Sequence, residues 1–163
     1  FSAEKAINYV LSKKRNTVEE ITYKDYERKS LVFKEYLRER GYLKTDVRHI
    51  SRNVCIEFLS EISKRSSNRN RNNYKVALSA IFSILENENY IEKNFFKTIK
   101  NEKATPKAHK IYTDEEVQLI FKTLENEPTL MLYAEMVGYG FLRPVEACRK
   151  QVKDINLKNA TWQ

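Results

Sequence analysis

Apolar residues recur along this 163-residue chain three or four positions apart, which is the period of an α-helix, and seldom alternate as they do in β-strands. Only three glycines and three prolines interrupt the pattern, so it predicts a mainly α protein. In the first hundred residues the predicted helices cover about 2–14, about 23–40, the stretch after Ser51, the stretch from Ser66 or Ser67 to Asn87, and a short piece over 90–99.

Small polar residues and one glycine mark the ends of these helices. Gly41 suits a C-terminal stop, because glycine tolerates the left-handed backbone found there. Ser51 is placed to cap the third helix, and either Ser66 or Ser67 to cap the fourth. Their apolar stripes require mutual burial, and we therefore expect a helical bundle over residues 1–100.

A polar segment separates this bundle from a second unit. Residues 101–112 lack apolar periodicity and contain Pro106 and several charges, which predicts an interdomain linker. Fully extended, residues 100–110 would reach about 35–40 Å.

The second unit, residues 113–163, begins with a capping box at Thr113-Asp-Glu-Glu116. Apolar helices are predicted after it and over about 130–137, and Pro144 suits the first turn of another. Residues 152–163 indicate a short extended segment, a turn and the start of a strand. A sheet that begins with one strand at the end of the chain cannot bury its apolar face. We therefore expect a truncated α+β domain.

Charge separates the two parts of the chain. Residues 1–100 carry 21 basic and 13 acidic residues, a net charge of +8, whereas residues 101–163 carry nine of each. A basic surface gains free energy by releasing counterions from nucleic acid, so the imbalance favours a polyanionic partner. No apolar run approaches the roughly 20 residues needed to cross a bilayer, and no signal peptide is recognised at the start.

The most basic stretch lies at the start of the fourth helix. Between Lys64 and Lys75 there are five basic residues and no acidic one. Ser, Asn and Arg side chains bind phosphate oxygens and groove edges, and a helix N-terminus favours phosphate. The apolar stripe from Ala77 to Leu85 is expected to point inward and to leave Arg71 and Lys75 on the outer face. The candidate DNA-binding residues are therefore Lys64, Arg65, Ser67, Arg69, Arg71, Asn72 and Lys75. The alternative is a solvated polar loop and helix start.

The cysteines and histidines predict neither a disulfide framework nor a metal site. Cys55 and Cys148 are far apart in the sequence, which fits a reducing cytoplasm, and Cys148 is expected in a core. His49 and His109 have no partners at ligand spacing. We therefore expect no metal.

A second candidate site is the arginine in Gly138-Tyr-Gly-Phe-Leu-Arg-Pro-Val-Glu146, which follows an apolar helix and a glycine turn. By itself this box is a weak signal, because a surface arginine at a turn is the commoner case. The order of features along the chain, however, resembles the tyrosine recombinases (phage-type integrases), especially those of mobile elements from Bacteroides-like bacteria. The resemblance is carried by the Ser/Asn/Arg-rich start at Ser66–Tyr74, an "I…NPF"-like phrase at Ile91–Phe96, "T-x-E-E" at Thr113–Glu116, "G-L-R-x-x-E" at Phe141–Glu146 and an "L-x-x-x-D-I"-like phrase at Cys148–Ile155.

The resemblance implies a SAM-like helical core-binding domain followed by the first part of a catalytic domain. Arg143 would be the first catalytic arginine, stabilising the charge of the pentavalent phosphate. Glu146 would either orient Arg143 or act only as a structural helix charge. Phe141 stands where the family has glycine, with Gly140 one position earlier, and Phe95 replaces the proline of "NPF".

The family's later lysine, its "H-x-x-R" box and its nucleophilic tyrosine would lie beyond Gln163, so this chain alone is not expected to cleave DNA. In the family, that tyrosine forms a phosphotyrosyl link to duplex DNA without ATP or metal, so the resemblance implies no cofactor. Four protomers of the family assemble on two duplexes.

Two other functions remain open at this stage. A non-enzymatic helical DNA-binding regulator would account for the basic first part, but not for the box around Arg143. A helical protein-interaction module with a basic face would bind an acidic partner instead. The strength of the salt dependence distinguishes them, and about six phosphate contacts would give a log–log slope near −5.

Overall fold

Helices account for most of the chain, so the prediction of a mainly α protein is confirmed. The computed structural model describes residues 1–105, 111–156, 158–159 and 161–162. The chain divides into two compact units, Phe1–Lys107 and Ala108–Gln163. The helices of the first unit are α1 (Ala3–Arg15), α2 (Glu20–Glu39), α3 (Arg52–Arg65), α4 (Asn68–Asn87) and the single-turn α5 (Phe95–Thr98), with a 3-10 turn at Val47–His49.

Serine caps start three of these helices. The hydroxyl oxygens of Ser2, Ser51 and Ser67 accept hydrogen bonds from backbone N–H groups three residues later, at 3.3, 3.4 and 3.2 Å. Each bond satisfies one of the N–H groups that have no partner within the helix. The cap at Ser51 is confirmed, and Ser67 rather than Ser66 caps α4.

Left-handed residues end the two long helices. Gly41, at φ 76°, follows α2 as predicted, and Asn89 adopts φ 61° after α4. In both places the next N–H reaches back to a carbonyl of the last turn, from Tyr42 to Leu37 at 2.8 Å and from Tyr90 to Leu85 at 2.9 Å. This is the Schellman arrangement, in which the helix cannot continue.

An aromatic cluster lies at the centre of the first unit. Phe33 of α2 contacts Phe58 of α3 with ring centroids 4.8 Å apart, and Phe82 of α4 contacts Phe96 of α5 at 5.1 Å. All four rings are buried. Their edge-to-face contacts add to the free energy that burial of each ring contributes. The stripe predicted on α1 is also confirmed, since Ala6, Ile7, Val10 and Leu11 are buried.

The fifth helix is shorter than the predicted piece over 90–99. Asn94 is 1% exposed, and its backbone N–H donates to Glu86 Oε1 at 2.8 Å while Nδ2 donates to Ser79 O at 2.8 Å. These bonds tie residues 90–94 to the side of α4, so only Phe95–Thr98 forms a helical turn. The "NPF"-like phrase therefore has a packing role.

The second unit contains three helices and a hairpin in its described part: α6 (Asp114–Leu124), α7 (Pro128–Gly138), α8 (Pro144–Arg149), β1 (Ile155–Asn156) and β2 (Thr161–Trp162). The capping box is confirmed, because Thr113 Oγ1 accepts from Glu116 N at 3.2 Å and Glu116 Oε2 accepts from Thr113 N at 3.0 Å. The strands pair antiparallel, with Ile155 opposite Trp162.

The apolar faces of this unit are open to solvent. Among its described residues only Ala147 is buried. Val117, Ile120 and Phe121 of α6 line an apolar groove of about 400 Å³ with Leu130 and Tyr133 of α7. The expectation that Cys148 lies in a core is wrong, because α8 turns Ala147 inward and leaves Cys148 exposed.

The two cysteines are therefore expected to differ in reactivity. Cys55 is 1% exposed, and burial raises the pKa of its thiol to about 12, so almost no thiolate is available at neutral pH. At pH 8 we expect one thiol, Cys148, to react within seconds to minutes with a disulfide reagent, and both to react in denaturant. Cys148→Ser provides the control. Rapid labelling of Cys55 in the folded chain would contradict this assignment.

Candidate nucleic-acid interface

The corner between α3 and α4 is held by its own polar side chains. Ser67 caps α4, and Ser66 Oγ accepts from Asn70 Nδ2 at 3.0 Å while donating to a carbonyl of the last turn of α3. Ser63 Oγ donates to Asn68 Oδ1 at 2.5 Å. Much of the serine and asparagine content of this stretch thus fixes the angle between the two helices.

Three of the predicted cations project from this corner. Lys64, Arg65 and Arg69 are exposed. Arg65 forms an ion pair with Glu61 at 3.2 Å. The side chain of Arg65 is 70% exposed, so solvent screens the pair and it contributes little stability. In the part of the chain that the structure describes, Lys64 and Arg69 have no acidic partner. Their charges are available to an external anion.

Arg71 does not lie on the outer face, and that expectation is wrong. Its side chain is buried, and Nη1 donates to Lys100 O and to Asn72 Oδ1, both at 2.9 Å. Glu102 Oε1 lies 3.9 Å from Nη2. Arg71 stands three residues before the buried Tyr74, so it continues the buried stripe of α4 one turn towards the N-terminus. The guanidinium of Arg71 is therefore hydrogen-bonded within the protein and is not exposed for contact with DNA.

Asn72 and Lys75 are likewise engaged within the chain. Asn72 pairs its whole amide with the backbone of Glu102: Oδ1 accepts from N at 3.0 Å and Nδ2 donates to O at 2.8 Å. Lys75 Nζ donates to Asn101 Oδ1 at 2.8 Å. The first part of the predicted linker is therefore attached to α4, and we call the attached residues Lys100–Lys103 the strap.

The strap adds charge that the sequence pattern did not assign to the site. Lys103 is exposed, and with Ser67 and Arg69 it lines a shallow groove of about 300 Å³ at the start of α4. Its carbonyl accepts from Asn68 Nδ2 at 2.9 Å, which fixes its backbone there. Four exposed cations (Lys64, Arg65, Arg69 and Lys103) thus belong to this corner, and we call them the cationic corner.

Acidic residues pair with about half of the other described basic side chains of the first unit. No acidic residue occurs between Glu61 and Glu86, so the start of α4 lacks this compensation. Elsewhere in the described part the ion pairs are Lys13–Glu88, Lys24–Glu20, Arg28–Asp25, Lys29–Asp25, Arg38–Glu35, Arg40–Glu61, Lys44–Glu4, Arg48–Asp46 and Lys97–Glu86. The stretch between Glu61 and Glu86 is therefore the longest part of the first unit without an acidic residue.

Arg143 occupies the N-cap position of α8 and is 82% exposed. Glu146, one turn on, accepts from the backbone N–H of Arg143 at 2.8 Å and lies 3.4 Å from its guanidinium. Pro144 fixes the first turn of the helix. The carboxylate thus holds both the backbone and the side chain of Arg143, while most of the guanidinium surface faces solvent.

The residue two before Arg143 has an unusual backbone. Phe141 adopts φ 52° and is 91% exposed. A side chain in the left-handed region costs about 1 kcal/mol or more relative to glycine. The backbone at this position therefore has the conformation for which a glycine is suited.

Nothing in the described residues suggests a metal site or a membrane span. Within them, no group of three His, Cys, Asp or Glu residues could hold a metal ion, and His109 lies outside them. No described helix has the length and apolarity needed to cross a bilayer. Comparison with protein-family models, curated proteins and solved structures gave no match.

Substitutions of Ser67 test how much the N-cap of α4 contributes to stability. We expect Ser67→Ala to lower the unfolding free energy of the first unit by about 1 kcal/mol, because it leaves the N–H of Asn70 without its partner. Ser67→Asp keeps the cap and is expected to retain stability. Urea unfolding followed by circular dichroism measures both. Equal stability of the alanine variant and the native chain would show that the cap contributes nothing.

Proposed function

We propose that this chain is the DNA-binding part of a site-specific tyrosine recombinase, with residues 1–105 gripping duplex DNA through the cationic corner. The observation that carries the proposal is a group of exposed cations at the start of α4, on a stretch from which acidic residues are absent. The recombinase identity rests further on the resemblance of the motifs from Ser66 to Ile155.

The chemistry of the corner suits a phosphodiester backbone. Lys64 and Arg69 lack acidic partners in the described structure, so binding phosphate does not require breaking an ion pair. The dipole of α4, a 20-residue helix, places partial positive charge at the same end. Lys and Arg contacts to phosphate supply affinity and position the protein, whereas base reading needs groups that reach a groove. Asn72 is engaged with the strap and is not counted among the phosphate contacts.

Arg143 is proposed to stabilise the phosphate at which a recombinase acts. A planar guanidinium can donate two parallel hydrogen bonds to the non-bridging oxygens, on which negative charge accumulates during phosphoryl transfer. Its exposure and its contact with Glu146 support a positioned but accessible group. The left-handed backbone of Phe141, where the family has glycine, supports the motif assignment. The nucleophilic tyrosine has no counterpart among the motifs of this chain.

The finer architecture belongs to the same proposal. The first unit would be the SAM-like core-binding domain, and the second the opening part of an α+β catalytic domain. The exposed apolar groove between α6 and α7 supports this, because such faces are normally covered by further structure of the same domain. Cytoplasmic action on duplex DNA, without a cofactor and as a tetramer of the whole recombinase, completes the proposal.

Salt dependence tests the DNA contact. Four phosphate contacts by the cationic corner would give a log–log slope of about −3.6, shallower than the six-contact expectation because Arg71 and Lys75 are engaged internally. We expect Lys64→Ala/Arg69→Ala to reduce the slope by about two and to leave thermal stability unchanged. Fluorescence anisotropy with a labelled duplex at several salt concentrations measures this.

A charge-matched variant provides the control. Lys5 lies on α1, and Lys93 precedes Asn94, which is bonded to Ser79 and Glu86 in the later turns of α4 rather than to its first turn. Lys5→Ala/Lys93→Ala removes the same charge, and we expect it to keep most of the affinity. Equal losses in both double variants would indicate a diffuse charge effect, and a slope near zero would favour the protein-interaction module.

Arg143 is tested by chemistry rather than by affinity. In a whole recombinase of the kind proposed, with this chain as its DNA-binding part, we expect a covalent adduct with a nicked suicide duplex. Arg143→Lys should reduce adduct formation by at least a hundredfold, since lysine cannot donate the parallel pair of bonds. Arg149→Lys, on the same helix, is the control. An adduct that forms equally well without Arg143 would refute its role, and absence of any adduct would favour a DNA-binding regulator.

A further inference from the structure

Side chains of α4 form hydrogen bonds with the strap along its length. Asn68, Asn72 and Lys75 contact Lys103, Glu102 and Asn101 respectively, so the strap runs towards the N-terminus of the helix as its numbering rises. Seven helical residues rise about 10.5 Å. Extended chain covers about 7 Å in the two residue steps from Asn101 to Lys103. The long side chain of Lys75 reaches the remaining distance to Asn101.

Arg71 and Asn72 account for the strongest part of this attachment. Arg71 is 6% exposed, and its guanidinium donates to the Lys100 carbonyl at 2.9 Å. Asn72 satisfies both backbone groups of Glu102, as a neighbouring strand would. Loss of a hydrogen-bond partner destabilises a buried guanidinium, so Arg71 favours the attached strap. Freeing the strap would leave the guanidinium of Arg71 with Asn72 as its only hydrogen-bond acceptor among the described residues, and would remove the acceptor of Asn72 Nδ2.

Attachment of the strap determines where Lys103 lies. The Lys103 carbonyl is bonded to Asn68, and Lys103 lines the groove at the start of α4 with Arg69. An unattached segment of the same composition would spread this charge over many positions and would lose conformational entropy on binding. Because the strap is already attached in the free protein, this loss of conformational entropy does not accompany DNA binding.

We propose that Arg71 and Asn72 are positioning residues, which hold the strap along α4 so that Lys103 joins Arg69 in one phosphate-binding surface. Neither residue contacts DNA in this arrangement. The proposal rests on the DNA-binding function above and specifies how part of its surface is built. It also assigns the beginning of the segment between the units a fixed place on the first unit.

Asn72→Ala is the variant that separates positioning from direct contact, with Asn73→Ala as its matched control. Asn73 is exposed and adjacent, and no described residue bonds to its side chain. In the full chain we expect amide hydrogen exchange at Glu102 to become about tenfold faster in Asn72→Ala, because its acceptor is lost, and to stay unchanged in Asn73→Ala. Circular dichroism confirms that both variants are folded.

A double-mutant cycle with Lys103→Ala then tests the link to DNA. If Asn72 acts through the strap, Lys103→Ala reduces the salt slope by about one in the native chain and by much less in the Asn72→Ala chain. Additive losses of affinity would overturn the positioning role, since they would mean that Asn72 and Lys103 act independently. Unchanged exchange at Glu102 would overturn the attachment itself.

The two proposals can fail separately. A native chain that does not bind duplex DNA would overturn the proposed function and the place of Lys103 in it. The exchange measurement needs no DNA, and it would still decide whether Asn72 holds the strap.

Discussion

The first unit depends on the way that α4 changes character along its length. Its later turns carry Leu78, Phe82 and Leu85 into the core, where Phe82 meets Phe96 of α5. Its first turns present hydrogen-bonding side chains on the continuation of the same face. An apolar face can only bury against other apolar groups, whereas Arg71 must bury against acceptors. The carbonyl of Lys100 and the amide oxygen of Asn72 supply them, so one helix determines the position of both the core and the strap.

Local rules predicted the features that depend on local chemistry. Ser51, Gly41 and the Thr113 capping box each act within four residues of their own position, and each is where the pattern indicated. Their caps and turns need no information from distant parts of the chain. The buried stripe of α1 could be predicted for the same reason, since its period is set by the helix alone.

The errors arose where a residue's partner is distant in sequence. Arg71 lies at the same helical phase as Tyr74 and Leu78, so the period contained the information that it points inward. Its charge argued for the surface, and only the carbonyl of Lys100, 29 positions away, makes its burial favourable. Cys148 failed in the opposite sense: its apolar neighbours indicated a core, but the described second unit buries only Ala147 around it.

Arg71 and Arg143 show how the environment of an arginine, rather than its residue type, determines whether an external anion can reach it. Both guanidiniums have a carboxylate nearby, Glu102 at 3.9 Å and Glu146 at 3.4 Å. Arg71 is buried and donates its hydrogen bonds to acceptors of the protein. A ligand could reach it only by displacing the strap. Arg143 is 82% exposed, and a single carboxylate one helical turn away cannot satisfy its five N–H groups. Water occupies the rest of such a group, and a phosphate with oxygens at matching spacing replaces that water without breaking the fold. An arginine suited to binding an anion is therefore one that the protein orients but does not saturate, and of these two only Arg143 meets that condition.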